Sequence, residues 1–519
     1  MTAAPSARPA RRHPSRRPIE PTVLQALRSP RLLTREVLAG LVVALALIPE
    51  AIAFSIIAGV DPRYGLFSSF IMAVAIAFLG GRPAMITAAT GAVALVIAPV
   101  VREHGIEYFI ATVLLGGLIQ IVLAVLGVAK LMRFIPRSVM VGFVNALAIL
   151  IFTAQLPQLF GDGIPWLVYP IVVAGLAIMY SLPRLTKAVP APLVAIVLLT
   201  AAVVLFAWNV PTVGDQGELP DSLPSLFIPD VPFTLETLQI IAPYALAMAL
   251  VGLLESLMTA KLVDDITDTH SSKTREALGQ GAANILSGAF GGMGGCAMIG
   301  QTMINVKASG ARTRISTFLA GSFLLVLVLV LGDIVAIIPM AALVAVMIVV
   351  SVGTFDWHSI RPATLRRMPP SETAVMLITV VATVWTHNLA IGVILGVLAA
   401  MTMFARRVAH FTTVERRVDS GSGSDAAAAD GAVAHYVVDG ELFFASSNDL
   451  TTQFSYSDDP DRVVIDMSRS HVWDASTVAA LDAIVAKYER LGKTVSIEGL
   501  NADAAAFHGR LTGRLDGAH

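Results

Sequence analysis

ITAATGAVALV (residues 86–96) and AMIGQTMINV (residues 297–306) are two short apolar segments rich in Gly, Ala and Thr, set among much longer apolar blocks. A helix needs about 20 residues to cross a ~30 Å hydrocarbon layer, so neither segment spans alone. Working outward from them, full segments are expected near 37–57, 66–79, 108–128, 138–160, 166–181, 192–208, 239–262, 277–290, 315–331, 334–352, 373–386 and 388–405. The short pair brings the total to fourteen, and each short segment stands third in a run of seven. Seven is odd, so the second run (239–407) enters from the opposite face and repeats the first (36–208) upside down. The expected class is an all-α polytopic membrane domain over residues 31–408. Short or Gly-interrupted segments at matching places in two such halves point to a transport site.

Composition agrees with a membrane chain. Apolar residues fill 55% of the 519 positions and charged residues only 14%, against about 25% charged in soluble domains. The basic residues are dispersed in short loops rather than gathered on one face, which argues against a nucleic-acid partner. No convincing metal cluster, nucleophile–base pair or phosphate loop is present, so no enzymatic role is expected. A single cysteine, Cys296, excludes an intramolecular disulfide and suits a bacterial inner membrane. It reads as a packed small residue.

The loops divide by charge. Arg31, Arg35, Arg82, Lys130, Arg133, Arg137, Arg184, Lys187, Lys273, Arg275, Lys307, Arg312, Arg314, Arg361, Arg366, Arg367, Arg406 and Arg407 fall on one side. The other side holds Arg63 and Arg102, while Asn209–Leu238 contains no Lys or Arg. The positive-inside rule then places both termini in the cytoplasm. The Pro- and Arg-rich stretch 1–30 lacks the apolar core of a signal peptide and is expected to be a disordered cytoplasmic arm. At the other end, SGSGSDAAAAD (420–430) marks a linker, taken as 409–430. Residues 431–519 then alternate strand-like HYVVDGELFF, VVIDMS and TVSIEG with an amphipathic helix over 476–491, a small α/β domain.

Two glutamates interrupt the apolar helices that open the halves: Glu50 in LALIPEAIAFS (45–55) and Glu255 in VGLLESLMTA (251–260). A charge at mid-membrane costs roughly 2.5–3.5 kcal/mol on insertion scales, so such a group faces a cavity or a partner, or carries a proton. Glu50 is therefore a candidate proton carrier, with Phe54 one turn further on the same face. Glu255, beside Ser256 and Thr259, either completes a sodium site or holds the scaffold. Asp264 and Asp265 are expected at the cytoplasmic end of that helix. A half-helix beginning inside the bilayer directs unpaired N–H groups and its positive dipole end at the midplane. That makes an anion site without Arg or Lys. Ala89, Thr90 and Gly91 of the first segment, and Ile299, Gly300, Gln301 and Thr302 of the second, are the candidate contacts.

These residues carry a family resemblance. AGLVVALALIPEAIAFSIIAGVDPRYGLFSS (39–69) resembles the first-helix signature of the sulfate-permease (SulP) anion transporters. ESLMTAKLVDD (255–265) with REALGQGAANILSGAFGGMGGCAMIGQTMIN (275–305) resembles their eighth-to-tenth-helix signature, and the C-terminal region is similar to a STAS domain. The resemblance implies a core domain moving against a gate domain. It also implies a substrate between the third and tenth half-helices, and a homodimer in the lipid bilayer. Many eukaryotic members have Gln where Glu50 stands, and many members have Ser-Arg in place of Gly300-Gln301. Here a positive charge is missing and a negative one present, which favours co-transport of H⁺ or Na⁺ with the anion. The expected function is thus secondary active transport of a small inorganic or carboxylate anion (bicarbonate, dicarboxylate or sulfate) by alternating access, H⁺-coupled through Glu50, without a cofactor. A Na⁺-coupled bicarbonate symporter, and an anion channel or sensor signalling through the STAS-like part, are the alternatives. In that part Asp474-Ala475-Ser476 departs from the phosphorylated Asp-Ser-Ser/Thr of related anti-sigma antagonists, so Ser476 is expected to act simply as a helix N-cap.

Overall fold

A computed structural model describes residues 21–127, 135–161, 163–185, 191–409, 412–419 and 432–512. The chain divides into two compact units, Met1–Val397 and Leu398–His519. In the first unit a short helix α1 (Val23–Arg28) precedes α2 (Pro30–Ala58), α3 (Pro62–Leu79), the two-residue strand β1 (Thr87–Ala88), α4 (Gly91–Val125), α5 (Arg137–Thr153), α6 (Leu156–Phe160), α7 (Val168–Leu185) and α8 (Ala191–Leu205). The second half follows with α9 (Leu235–Thr267), α10 (Lys273–Ala289), β2 (Cys296–Ala297), α11 (Ile299–Met303), α12 (Arg314–Ala336), α13 (Met340–Thr354), α14 (Pro362–Arg367), α15 (Pro370–Thr386) and α16 (Leu389–Ala409). Each of the fourteen expected segments falls on one of these helices. Eight described helices have the length and hydropathy to cross a membrane, and Ala191–Leu205, Met340–Thr354 and Pro370–Thr386 are shorter apolar ones.

Local chemistry explains the boundaries. Pro30 opens α2, where its missing N–H is no loss, and Gly59 closes it at φ 82°. Thr90, Thr234, Ser272 and Thr313 cap α4, α9, α10 and α12 through their side-chain oxygens. The short third segment of the first half is not a separate helix. It runs into the fourth through Gly105, whose φ of 84° bends α4. The equivalent half-helix, α11, continues as a π-turn over Ile304–Ala308.

The halves meet at the two strands. Thr87 pairs with Ala297 and Ala88 with Cys296 in an antiparallel ladder, and the Met298 N–H donates to the Ile86 carbonyl at 2.9 Å. The two half-helices thus start from one shared pair of backbones. Close helix crossings hold that junction. At Gly117 of α4 and Gly281 of α10, an added Cβ on either residue would stand 2.7 Å from the other's carbonyl oxygen. Only glycines allow that approach, a recurring way of packing helices without a hydrophobic drive between them.

Buried charges fasten the same framework. Glu36 of α2, fully buried, accepts from the N–H groups of Arg312, Thr313 and Ser316 at the start of α12. Glu276 of α10 accepts from the N–H groups of Gly81 and Arg82. Asp264 lies in the last turn of α9, as expected, and is buried there between Arg82 at 3.1 Å and Lys273 at 2.7 Å.

Two expected boundaries move. The arm over 1–30 is helical where described, because Thr22 and Gln25 form a reciprocal capping box on α1 and α2 already begins at Pro30; residues 1–20 lie outside the described residues. The linker over 409–430 contains strand β3 (Thr413–Asp419), hidden in the sequence by its charges and paired antiparallel with β4 (Val433–Leu442). The α/β domain expected from 431 therefore starts near 413, and residues 420–431 lie outside the described residues.

The second unit continues through α17 (Phe444–Leu450), β5 (Arg462–Val472), α18 (Ala475–Arg490), β6 (Thr494–Glu498) and α19 (Ala502–Leu511). Its sheet order is β3-β4-β5-β6, with the last two pairings parallel. Asp459 sits at its core, accepting from the Tyr436 and Tyr488 hydroxyls and from Arg416 Nε at 2.7 Å. The N-cap of α18 is Asp474, which accepts from the Thr477 N–H, and not Ser476, which is already inside the helix. A carboxylate two residues earlier is a stronger acceptor for these N–H groups than a serine hydroxyl.

Candidate functional site

Glu50 lies on α2 directly after Pro49, and its Oε1 accepts from Gln301 Nε2 of α11 at 2.7 Å. Gln301 is 97% buried, and its other side-chain atom, Oε1, has no hydrogen-bond partner. Ile299 is half-buried and Gly300 exposed, and a Cβ added to Gly300 would meet nothing within 4 Å. The start of α11 therefore borders open space with a carboxylate and an amide at its edge. Among the described residues no Lys or Arg forms an ion pair with Glu50.

Across the junction, Thr90 caps α4, and its hydroxyl lies 3.1 Å from Cys296 Sγ. The Phe54 ring rests on Gly91, where an added Cβ would stand 2.8 Å from the ring edge. Glu50, Phe54, Thr90, Gly91, Ile299, Gly300 and Gln301 are thus gathered where the half-helices start.

Three expected residues make hydrogen bonds within the framework. The Ala89 N–H is already given to Ser69 Oγ at 3.3 Å. Thr302 is fully buried, and its hydroxyl accepts from the Ile86 N–H at 3.0 Å, tying α11 to the chain leading into β1. Glu255 is buried, and its Oε2 accepts from the Cys296 thiol at 3.0 Å. Cys296 is packed as expected, yet it also links Glu255 to Thr90, which a lone cysteine in a sequence does not reveal.

Asn284 was also missed by sequence reasoning. Its side chain bonds both the N–H and the carbonyl of Gly295, at 2.8 and 3.1 Å, and donates to Gln120 Oε1. A signal was available. Glu276, Gln280 and Asn284 recur every fourth residue along α10, a polar stripe on a helix that otherwise belongs to a membrane core.

The model described as the sulfate permease family matches residues 33–165 and 164–379. The chain belongs to the sulfate permease family. It is accordingly a multi-pass membrane protein, and a STAS domain matches residues 426–507. Among sulfate-permease relatives, YbaR of Bacillus subtilis (strain 168), provisionally assigned as a sulfate transporter, is 53% identical over 90% of this chain and 94% of its own length. The bicarbonate transporter BicA of Picosynechococcus is 26% identical over 86% of each. The solved transmembrane domain of a cyanobacterial BicA matches with TM-score 0.60 and 25% identity over 72% of this chain and 98% of that one. The murine anion transporter Slc26a9, in its inward-facing state, shares the fold at TM-score 0.77 with 16% identity, covering 94% and 88%.

Proposed function

We propose that this sulfate permease carries a small oxyanion or carboxylate, with sulfate, bicarbonate and dicarboxylates as the candidates, by alternating access and together with a proton on Glu50. The observation that carries this reading is the 2.7 Å contact between Glu50 and Gln301 at the open start of α11, with no Lys or Arg paired to Glu50 among the described residues. Sulfate and bicarbonate come from the names of the relatives. The proton comes from the charge balance of the site.

An anion bound about 4 Å from an ionised Glu50 would be opposed by roughly 4 kcal/mol at an effective dielectric near 20. Protonation removes that opposition. Proton and anion therefore help each other bind, and the coupling is reciprocal. Gln301 suits the exchange. Facing a carboxylate, it donates through Nε2. Facing a protonated carboxyl, its amide can turn and accept through Oε1, the atom that now lacks a partner. The turn would free two N–H donors for the anion, beside the N–H groups and dipole of α11. Glu255 is assigned to the scaffold, because its carboxylate is engaged by the Cys296 thiol.

The test is uptake into liposomes of labelled sulfate, bicarbonate and a dicarboxylate, each with an imposed proton or sodium gradient. Acidic-outside conditions should drive uptake by the native chain, and Glu50→Gln should abolish that drive while leaving the fold intact. Uptake that follows a sodium gradient and is indifferent to Glu50→Gln would replace the proton reading with the sodium one.

A further inference from the structure

A cleft of about 540 Å³ opens between α2 and α4 on one wall and α5, α6, α13 and the α15–α16 turn on the other. Its lining includes the buried Ala53, one turn of α2 beyond Glu50, and Val96 of α4, yet neither Glu50 nor Gln301 lines it. Of the described residues on its walls, Arg102 and His387 are the ionisable ones capable of positive charge, and no Asp or Glu is among them. Neutral hydrogen-bonding groups complete the lining, from Thr153, Gln155 and Gln158 on one side and Asn388 on the other.

Arg102 is exposed and makes no hydrogen bond or ion pair with any described residue. Two carboxylates follow it along α4, and neither lines the cleft. Glu103 lies 3.9 Å from His104, and Glu107 accepts from the Asp230 N–H at 2.8 Å. A guanidinium is a permanent cation, so the cleft, with no Asp or Glu in its described lining, carries a positive field. A low-dielectric cleft focuses such a field and concentrates ions of the opposite sign.

We infer that this cleft is a first encounter site for the transported anion, with Arg102 as the cation that draws it in and the neutral amides as its first hydrogen-bond donors. The inference rests on the anion-transport reading above and adds a specific route of approach. The central site keeps no permanent cation, so release there is not hindered. Among the described lining residues Arg102 is the permanent cation, placed where it raises local anion concentration without holding the ion tightly.

The test reads the field directly. Gln158→Cys places a thiol in the cleft, and the buried Cys296 of the otherwise native chain supplies the unlabelled control. The full-length protein in liposomes is labelled with anionic sulfonatoethyl methanethiosulfonate and with its cationic trimethylammonium analogue. One unit charge about 10 Å away changes each rate roughly 3-fold in opposite directions, so Arg102→Gln should lower the anion-to-cation rate ratio about 10-fold. The difference should fade near 1 M salt, where the Debye length is about 3 Å. In the chain without the added thiol, Arg102→Gln should also lower kcat/KM for sulfate or bicarbonate uptake about 3-fold at low salt, and Arg102→Lys should restore it. An unchanged labelling ratio, or uptake that ignores Arg102 at low salt, overturns the inference. Failure of the native chain to take up any tested anion counts against the proposed function, while the labelling ratio still scores the cleft.

Discussion

Gly295 and Gly300 stand five residues apart on either side of β2, and the structure assigns them opposite sensitivities. A Cβ on Gly295 would lie 1.9 Å from the Ala88 carbonyl oxygen and 2.7 Å from its carbonyl carbon, both backbone atoms. Ordinary carbon–oxygen contacts begin at about 3.3 Å, so Gly295→Ala must push the chains apart by about 1.4 Å. Neither side can yield freely. Asn284 grips Gly295 at both its N–H and its carbonyl, and Ala88 is held in the ladder with Cys296. Overpacking of this kind costs about 1–3 kcal/mol, and a ladder bond left unmade in the interior adds about 1–3 more. The expected loss is therefore about 4 kcal/mol, with a fall of roughly 5 °C in the unfolding midpoint in detergent. Gly300→Ala meets no atom within 4 Å and should leave stability level or raise it by up to about 1 kcal/mol through helix propensity. Its methyl group, however, would occupy the open space beside Glu50 and Gln301, and uptake should fall about 10-fold or more. Thermal unfolding and liposome uptake of the two variants, side by side, decide the matter. Native-like stability in Gly295→Ala would refute the account of the strand junction. Full uptake in Gly300→Ala would remove the start of α11 from the anion's path.

Three further outcomes are expected. Cys296→Ser should keep the link between Glu255 and Thr90 and remain close to native, whereas Cys296→Ala leaves the buried Glu255 without its donor and should lose about 1–3 kcal/mol in denaturant unfolding. Arg82→Gln strips a buried guanidinium from Asp264, leaving Lys273 as its remaining ion-pair neighbour. A destabilisation of about 3 kcal/mol should appear as protease sensitivity near residues 264–273. Asp459→Ala leaves the Tyr436 and Tyr488 hydroxyls buried without their acceptor. It should unfold the STAS domain by about 3 kcal/mol, read by limited proteolysis of the full chain, while uptake by the transmembrane unit persists.

What the sequence disclosed followed from strong, averaged signals. Apolar blocks of spanning length, the odd number of segments per half and the paired short segments were enough for the inverted architecture and for the neighbourhood of Glu50. Contacts between halves were legible only in part. Nothing in the spacing says that the Gln301 amide, rather than the Thr302 hydroxyl, turns toward Glu50, because both lie in the same helical turn and tertiary packing alone chooses between them. Glu255 looked equivalent to Glu50 in the repeat, but its partner is the Cys296 thiol across the junction rather than a glutamine amide. The charged strand β3 escaped notice because Glu415, Arg416 and Arg417 mask its alternation, and its partner β4 lies beyond the polar stretch 420–430. Asp474 displaced Ser476 as the cap of α18 by two residues, a margin that composition cannot resolve.

The ladder between β1 and β2 also bears on how the protein is made. Ala88 leaves the ribosome roughly 200 residues before its partner Cys296, an interval of about 10–40 s at ordinary synthesis rates. Through that interval the backbone around β1 has no strand to pair with, and unpaired peptide groups cost several kcal/mol each in lipid. The first half-helix therefore cannot settle at its final depth as it emerges. Insertion of the two halves is therefore expected to conclude as one event, and a nascent chain truncated before residue 296 should remain accessible to water-soluble reagents around Thr87.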